Sequence, residues 1–185
     1  MFKRRVMSYF LNIYTVNHSD VKNEFNLGVT SDAFVAMSKS LDPADACNIK
    51  RLYEKNYNRD SETLESLDAN ELIGAFEQVC SFISGNKQTV IEFYLDDENL
   101  PELFYFSFDD WDEDDFELPL SSDGTPSVVY RNNGSLISYH QKLKVLLDEG
   151  SFDDEYISHD ELSKLVQLLS EVTKNNQGVF IFCAQ

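Results

Sequence analysis

The sequence predicts an α+β fold in which a single sheet of about four to six strands packs against amphipathic helices. Runs rich in aromatic and β-branched residues, which are typical of strands, occur at residues 8–16, 89–95 and 179–182. Between them lie segments with apolar residues at helical spacing, bounded by capping residues and glycines. The 185 residues fit one domain, 1–185, in which 1–6 form a loose leader.

The chain is expected to open with the strand at residues 8–16 and two short helices. Ser19 offers a side-chain oxygen to cap the first helix, which should run to about Asn26. Gly28 is placed to end that helix, because glycine accepts the left-handed conformation found after a helix C-terminus. A second short helix is predicted over residues 31–39.

Two longer helices follow in the first half. Asp42 stands before Pro43, which suits a first helical position because its missing N–H is not needed there, and this helix should end near Tyr57. Asp68 and Glu71 approximate a capping box and start the next helix. Its apolar stripe predicts one buried face and consists of Leu72, Ile73, Phe76, Val79, Cys80 and Ile83.

The middle of the chain alternates strand-like and acidic segments. Strands are predicted at residues 89–95 and 103–108, followed by an exposed acidic loop at 109–126 that contains two prolines and a glycine. Long loops inside a compact domain are commonly functional. A short strand at 128–130 and a turn at 132–134 come next.

The last third is predicted to hold two helices and a central strand. The first helix ends at Gly150, and the second opens at a capping box formed by Ser158 and Glu161. The segment 175–178 then breaks the helix before the strand at 179–182. This last strand is apolar at every position, which indicates burial on both faces and therefore a place inside the sheet.

The acidity of the chain is concentrated in one window. Between Gln88 and Tyr130 there are thirteen carboxylates and no lysine or arginine, and they supply most of the formal net charge of -18. Such a patch attracts cations and basic proteins and repels nucleic acid and anionic lipid. The thirteen are Glu92, Asp96, Asp97, Glu98, Glu102, Asp109, Asp110, Asp112, Glu113, Asp114, Asp115, Glu117 and Asp123.

The centre of this window is the candidate partner-binding segment. Aromatic residues there supply contact area, while acidic residues supply steering toward a basic protein surface. The predicted contact residues are Asp109, Asp110, Trp111, Asp112, Glu113, Asp114, Asp115, Phe116 and Glu117. The alternative interpretation is that Phe104, Phe106 and Phe108 form the inward face of a strand and that residues 109–117 are merely solvated.

Metal binding is an alternative that the spacing supports only in part. Asp110, Asp112 and Asp114 begin like a calcium loop, but Asp115 stands where the sharp turn needs glycine and Ser121 where a bidentate glutamate is expected. No dedicated metal site is therefore predicted, and a divalent-cation binding protein remains an alternative. Mimicry of DNA phosphates is less favoured than protein binding, because it requires rigidly placed charges.

Catalysis is not predicted, and neither is a cofactor. The three histidines, His18, His140 and His159, are isolated in sequence, and none of the common hydrolase, metalloprotease or phosphate-loop motifs occurs. The rival hypothesis is an enzyme or small-molecule binder with a pocket under the acidic loop, in which His140 or His159 meets a carboxylate.

The three cysteines and the hydropathy pattern bear on the cellular compartment. Cys47, Cys80 and Cys183 are widely separated and odd in number, so no disulfide framework is expected. Neither a cleavable secretory signal nor a membrane-spanning run is recognisable. We therefore expect a cytoplasmic protein.

The two ends of the chain, residues 7–16 and 178–182 with the helix before them, are similar to those of an uncharacterised bacterial family of small acidic proteins. In size, acidity and lack of catalytic motifs the chain also resembles immunity proteins of bacterial toxin systems. That resemblance implies a non-catalytic inhibitor that covers a basic toxin, often a nuclease. The expected partner is thus a basic protein rather than nucleic acid or membrane, and the oligomeric state stays open.

Overall fold

The computed structural model describes residues 7–57, 69–85, 87–95, 106, 112, 128–152 and 156–184. Strands and helices are numbered separately in chain order. They are β1 (Met7–Thr15), α1 (His18–Leu27), a 3-10 turn (Gly28–Thr30), α2 (Asp32–Ser40), α3 (Pro43–Tyr57), α4 (Ala69–Ile83), β2 (Gln88–Leu95), β3 (Val128–Arg131), α5 (Asn133–Glu149), α6 (His159–Lys174) and β4 (Val179–Ala184).

The described strands form one antiparallel sheet of four strands in the order β2-β1-β4-β3. This confirms the predicted α+β class. The last strand lies between β1 and β3, as its apolar composition indicates, and Ile13 of β1 pairs with Ile181 of β4 at its centre. Among the described strands, β2 and β3 are therefore the two edges of the sheet.

Helices cover both faces of the sheet, and each face has its own apolar core. On one face, Phe180 and Phe182 of β4 pack with buried residues of α1, α2, α3 and α4. On the other face, Val179 and Ile181 pack with buried residues of α5 and α6. The alternation of side chains along β4 thus serves two helical layers at once.

Most helix starts follow the capping residues that the sequence offers. The Ser31 hydroxyl accepts a hydrogen bond from the backbone N–H of Phe34 at 2.9 Å, and α2 begins directly after it. Asp42 accepts from Ala44 at 2.8 Å and from Asp45 at 3.1 Å at the start of α3. These contacts satisfy backbone donors that have no partner inside the helix.

Two local predictions are wrong. α1 starts after Asn17 rather than after Ser19, and the Asn17 side chain accepts no capping hydrogen bond from the helix backbone. The predicted turn at residues 132–134 is instead the beginning of α5, where Asn132 accepts from the N–H of Ser135 at 3.0 Å. Asparagine and glycine are common both in turns and at helix starts, so composition alone does not separate the two.

The predicted strand at residues 103–108 is wrong at Phe106, whose backbone is helical and whose side chain is fully buried. The rest of that segment lies outside the described residues, as do the leader 1–6, the capping residue Asp68 and the loop 109–126 apart from Asp112. Gly150 ends α5 in a left-handed conformation with φ 60°, as expected.

Gly178 joins α6 to β4 at a crowded point. A Cβ placed there would lie 2.6 Å from Cζ of Tyr130, whose ring covers this backbone. The N–H of Gly178 donates to the side-chain oxygen of Asn17 at 3.0 Å, which ties the start of β4 to the end of β1. Only a residue without a side chain allows this approach.

Among the helices that the structure describes, none is both long and apolar enough to cross a membrane.

Candidate partner-binding surface

Of the nine predicted contact residues, the structure describes Asp112. The other eight, Asp109, Asp110, Trp111, Glu113, Asp114, Asp115, Phe116 and Glu117, lie outside the described residues. Asp112 therefore shows where this acidic segment meets the folded body.

Asp112 lies against the outer edge of β3. Its backbone N–H donates to the carbonyl oxygen of Tyr130 at 3.2 Å, which satisfies an acceptor on an edge strand. Its Oδ2 accepts from the backbone N–H of Asn132 at 2.7 Å. With 17% of its side chain exposed, Asp112 uses its carboxylate mainly within the protein.

The positive partner of this carboxylate is Arg131, the last residue of β3. Its Nη1 lies 3.7 Å from Oδ1 of Asp112, and 1% of the arginine side chain is exposed. Its Nε donates to the carbonyl oxygen of Phe106 at 3.0 Å. One guanidinium group thus contacts two separate points of the acidic window.

Aromatic rings complete the surroundings of Arg131. Its guanidinium carbon lies 5.8 Å from the ring centroid of Tyr139 on α5, within the range of a cation–π contact. Tyr139 in turn packs edge-to-face with Phe106 at 5.4 Å. These contacts offset part of the cost of removing a charge from water.

The strand geometry explains why Arg131 points inward. Val129 and Arg131 are two residues apart on β3, so their side chains lie on the same face of the sheet. Val129 belongs to the core beneath α5 and α6. Because Asn132 starts α5 immediately afterwards, its N–H remains available to Asp112.

The charge of Arg131 also affects the pKa of a nearby thiol, that of Cys183. Burial raises the pKa of Cys183 on β4 to about 12, and the positive charge of Arg131 acts in the opposite direction with a smaller effect. Because burial dominates, the Cys183 side chain is a neutral thiol at neutral pH.

Glu92 is the second acidic residue of the window that the structure describes, and it lies on the opposite edge of the sheet. Its Oε1 accepts from Oγ of Ser8 at 3.0 Å and from Oη of Tyr94 at 2.9 Å. The hydrogen bond to the Glu92 carboxylate raises the pKa of Tyr94. Glu92 is thus also engaged within the protein.

The three histidines lie on three different helices, α1, α5 and α6. His18 is buried and its ring centroid lies 5.4 Å from that of Tyr130, whereas His140 is half-buried on α5. His159 is the first residue of α6, and its Nδ1 is 3.8 Å from Oδ1 of Asp160. Their side chains are 66% and 101% exposed, so this pair faces solvent and is not enclosed.

Within the described ranges, no group of three or more His, Cys, Asp or Glu side chains is arranged to hold a metal ion. Of the three aspartates in the predicted calcium-like pattern, Asp112 lies at the β3 edge, and Asp110 and Asp114 lie outside these ranges.

Sequence reasoning did not single out Arg131, although two signals were present. Arg131 is the first lysine or arginine after the acidic window, and it directly follows three apolar residues of a predicted strand. A cation at the end of a buried strand needs a partner, and the preceding window offers many carboxylates.

Comparisons with protein-family models, with curated proteins and with solved structures gave no match to this chain.

Proposed function

We propose that this chain is a non-catalytic, acidic protein-binding domain, and specifically an immunity-type inhibitor that neutralises a basic toxin by covering its surface. The observation that carries the proposal is the attachment of the acidic segment to the β3 edge through Asp112. This attachment fixes the point, at residue 112, where the acidic segment joins the folded body. A nuclease is a fitting target, because enzymes that act on nucleic acid present basic surfaces.

Binding would begin with electrostatic steering. A cluster of like charges raises the rate of encounter with an oppositely charged surface by roughly 10-fold to 10³-fold at low ionic strength. Since the Asp112 carboxylate is engaged with Asn132 and Arg131, steering falls to the acidic residues on either side of it. Trp111 and Phe116 would then supply the apolar anchors of the docked complex.

The acidic segment is the centre of such an interface and not the whole of it. A standard protein–protein interface uses about 20–30 residues on each side, more than residues 109–117 provide. The remaining contacts would come from the folded body beside β3.

The proposal is tested by reversing charge at one place while keeping the net charge matched. One variant carries Asp114→Lys, Asp115→Lys and Glu117→Lys. The control carries Glu54→Lys, Glu149→Lys and Glu171→Lys, three exposed residues in the last turns of α3, α5 and α6. A cation is tolerated at the C-terminal end of a helix, so the control should fold normally.

Tagged wild type and both variants are used to capture proteins from the native lysate at low and high salt, and the captured proteins are identified by mass spectrometry. We expect basic proteins to be retained by the wild type and the control, to be lost from the acidic-segment variant, and to elute as salt rises. Equal capture by both variants, or capture of acidic proteins only, would contradict the proposal. The product of the gene beside this one is the first candidate to test directly, since an immunity protein is expected to be encoded with its toxin.

A further inference from the structure

Arg131 is the starting point of a second inference. In the part of the chain that the structure describes, it is the one Lys, Arg, Asp or Glu side chain that is buried. An isolated buried charge is strongly unfavourable, so the groups around it must repay the lost hydration. Those groups include the Phe106 carbonyl and the Asp112 carboxylate, both within the acidic window.

The contacts between Asp112 and β3 are of three kinds. The backbone of Asp112 donates to Tyr130, its Oδ2 accepts from Asn132, and its Oδ1 faces the guanidinium of Arg131. A residue that only offered charge to a partner would need none of these. Three consecutive residues, 130–132, are therefore used to hold Asp112.

We propose that Arg131 and Asp112 are positioning residues, whose contacts fix the acidic segment at residue 112 to the β3 edge before any partner binds. Asp112 then has a different role from the acidic residues adjacent to it, to which the proposed function assigns contact with the partner. The part of this inference that concerns affinity rests on the proposed function. The part that concerns the free protein is independent of the proposed function.

Positioning matters for affinity because ordering a flexible segment during binding costs conformational entropy. If the segment is already fixed at Asp112 in the free protein, part of this conformational entropy is lost on folding and is not lost again on binding. Releasing Asp112 should therefore weaken binding by more than the loss of one charge. The loss should appear mainly in the dissociation rate, whereas loss of steering charge appears mainly in the association rate.

The sole tryptophan of the chain, Trp111, gives a direct readout because it precedes Asp112 in the sequence. The matched pair of variants is Asp112→Asn and Asp114→Asn, which remove the same charge two residues apart. Trp111 fluorescence is measured in the free, full-length chain as steady-state anisotropy and as quenching by acrylamide. Far-UV circular dichroism checks that each variant is folded.

We expect Asp112→Asn to raise the quenching constant and lower the anisotropy, and Asp114→Asn to leave both at the wild-type values. Arg131→Met should reproduce the effect of Asp112→Asn, and the double variant should show no further change, because the two side chains act as one unit. The double variant also removes the buried cation, so it serves as the folded test case if Asp112→Asn lowers the folded fraction. Identical quenching in Asp112→Asn, the double variant and the wild type would overturn the proposal.

A second measurement separates this inference from the proposed function. Toward a basic protein captured by the wild type, Asp112→Asn should increase the dissociation rate, and Asp114→Asn should decrease the association rate. If charge reversal at residues 114, 115 and 117 leaves capture intact while Trp111 still responds to Asp112→Asn, the proposed function fails and the positioning role stands. If capture depends on those charges but Trp111 does not respond, the positioning role fails alone.

Discussion

The two edges of the sheet are closed in different ways. At the β2 edge, the carbonyl of Val90 accepts from the Lys164 ammonium group, and the N–H of Glu92 donates to Oε2 of Glu161 at 3.2 Å. The N–H of Tyr94 donates to the carbonyl of Tyr156 at 2.7 Å. At the β3 edge, the corresponding protection comes from Asp112, which is held by its charged partner Arg131.

The difference lies in what each closure depends on. The groups at the β2 edge belong to α6 and the residues just before it, and α6 is anchored independently by a buried stripe. Among the described residues, the group that meets the β3 edge is instead Asp112, which bonds Tyr130 and Asn132 and pairs with the charge of Arg131. An exposed edge can pair with another strand, so both need protection. At β3, the residue that protects the edge, Asp112, belongs to the acidic segment that we propose for partner binding. The groups that protect β2 do not belong to that segment.

Breaking the charge pair should give the largest effect on stability. Removing one partner of a buried ion pair takes the counter-charge away from the other and costs about 3–5 kcal/mol. We expect Asp112→Ala to lower the free energy of unfolding by about 3 kcal/mol, measured by urea denaturation.

The control for this variant is Asp148→Ala, which breaks the pair of Asp148 with Lys144 on α5. Those side chains are 59% and 53% exposed, so the loss should stay below about 1 kcal/mol. Equal losses in the two variants would show that the β3 edge does not depend on its charge pair.

Alkylation of cysteines tests whether the interior beside β3 stays inaccessible to reagents in the wild type. Because the pKa of Cys183 is raised to about 12 by burial, its thiolate fraction at pH 8 should be roughly 10³ times below that of a thiol with an ordinary pKa. We therefore expect iodoacetamide to label the exposed Cys47 long before Cys183, as followed by peptide mass spectrometry. Asp112→Ala should speed the labelling of Cys183, whereas similar rates for Cys47 and Cys183 in the wild type would refute the expectation.

Gly178→Ala tests how β3 is held from its other side. The new methyl group would displace the ring of Tyr130, and overpacking of this kind costs about 1–3 kcal/mol. Thermal unfolding should show a lower midpoint. Gly74→Ala is the matched control, because no atom lies within 4 Å of a Cβ there and alanine favours a helix by about 1 kcal/mol. A midpoint that changes in the same direction in both variants would argue against crowding at Gly178.

The smallest effect is expected at the β2 edge. Glu161→Gln keeps an acceptor for the N–H of Glu92 but removes its charge, so the loss should be about 1 kcal/mol or less. Hydrogen exchange of the Glu92 amide should accelerate, while Glu171→Gln on the same helix should leave it unchanged. A loss as large as that of Asp112→Ala would remove the distinction between the two edges.

The features that the sequence predicted correctly are those decided by near neighbours. Asp42 and Ser158 each bond backbone groups two or three residues away, and Gly150 ends its helix locally. The central position of β4 was predictable because a strand without a polar face needs cover on both sides.

The features that escaped prediction depend on contacts between distant parts of the chain. Glu161 was expected to complete a capping box, but its carboxylate accepts from Glu92 of β2, far away in sequence. The pairing of Asp112 with Arg131 is similar, because the acidic window before that arginine holds thirteen carboxylates and spacing does not select among them. Whether the remaining predicted contact residues meet a partner stays a prediction.

The arrangement of β1 and β4 has a consequence for how the protein is made. The two strands pair from Phe10 with Ala184 to Thr15 with Val179. This pairing can form only after β4, the last strand of the sheet, has been synthesised. Contacts between such distant segments form slowly, and unpaired strands are prone to aggregate in the meantime. The side of β1 that pairs with β4 therefore stays without its partner strand until the last residues of the sheet have been made.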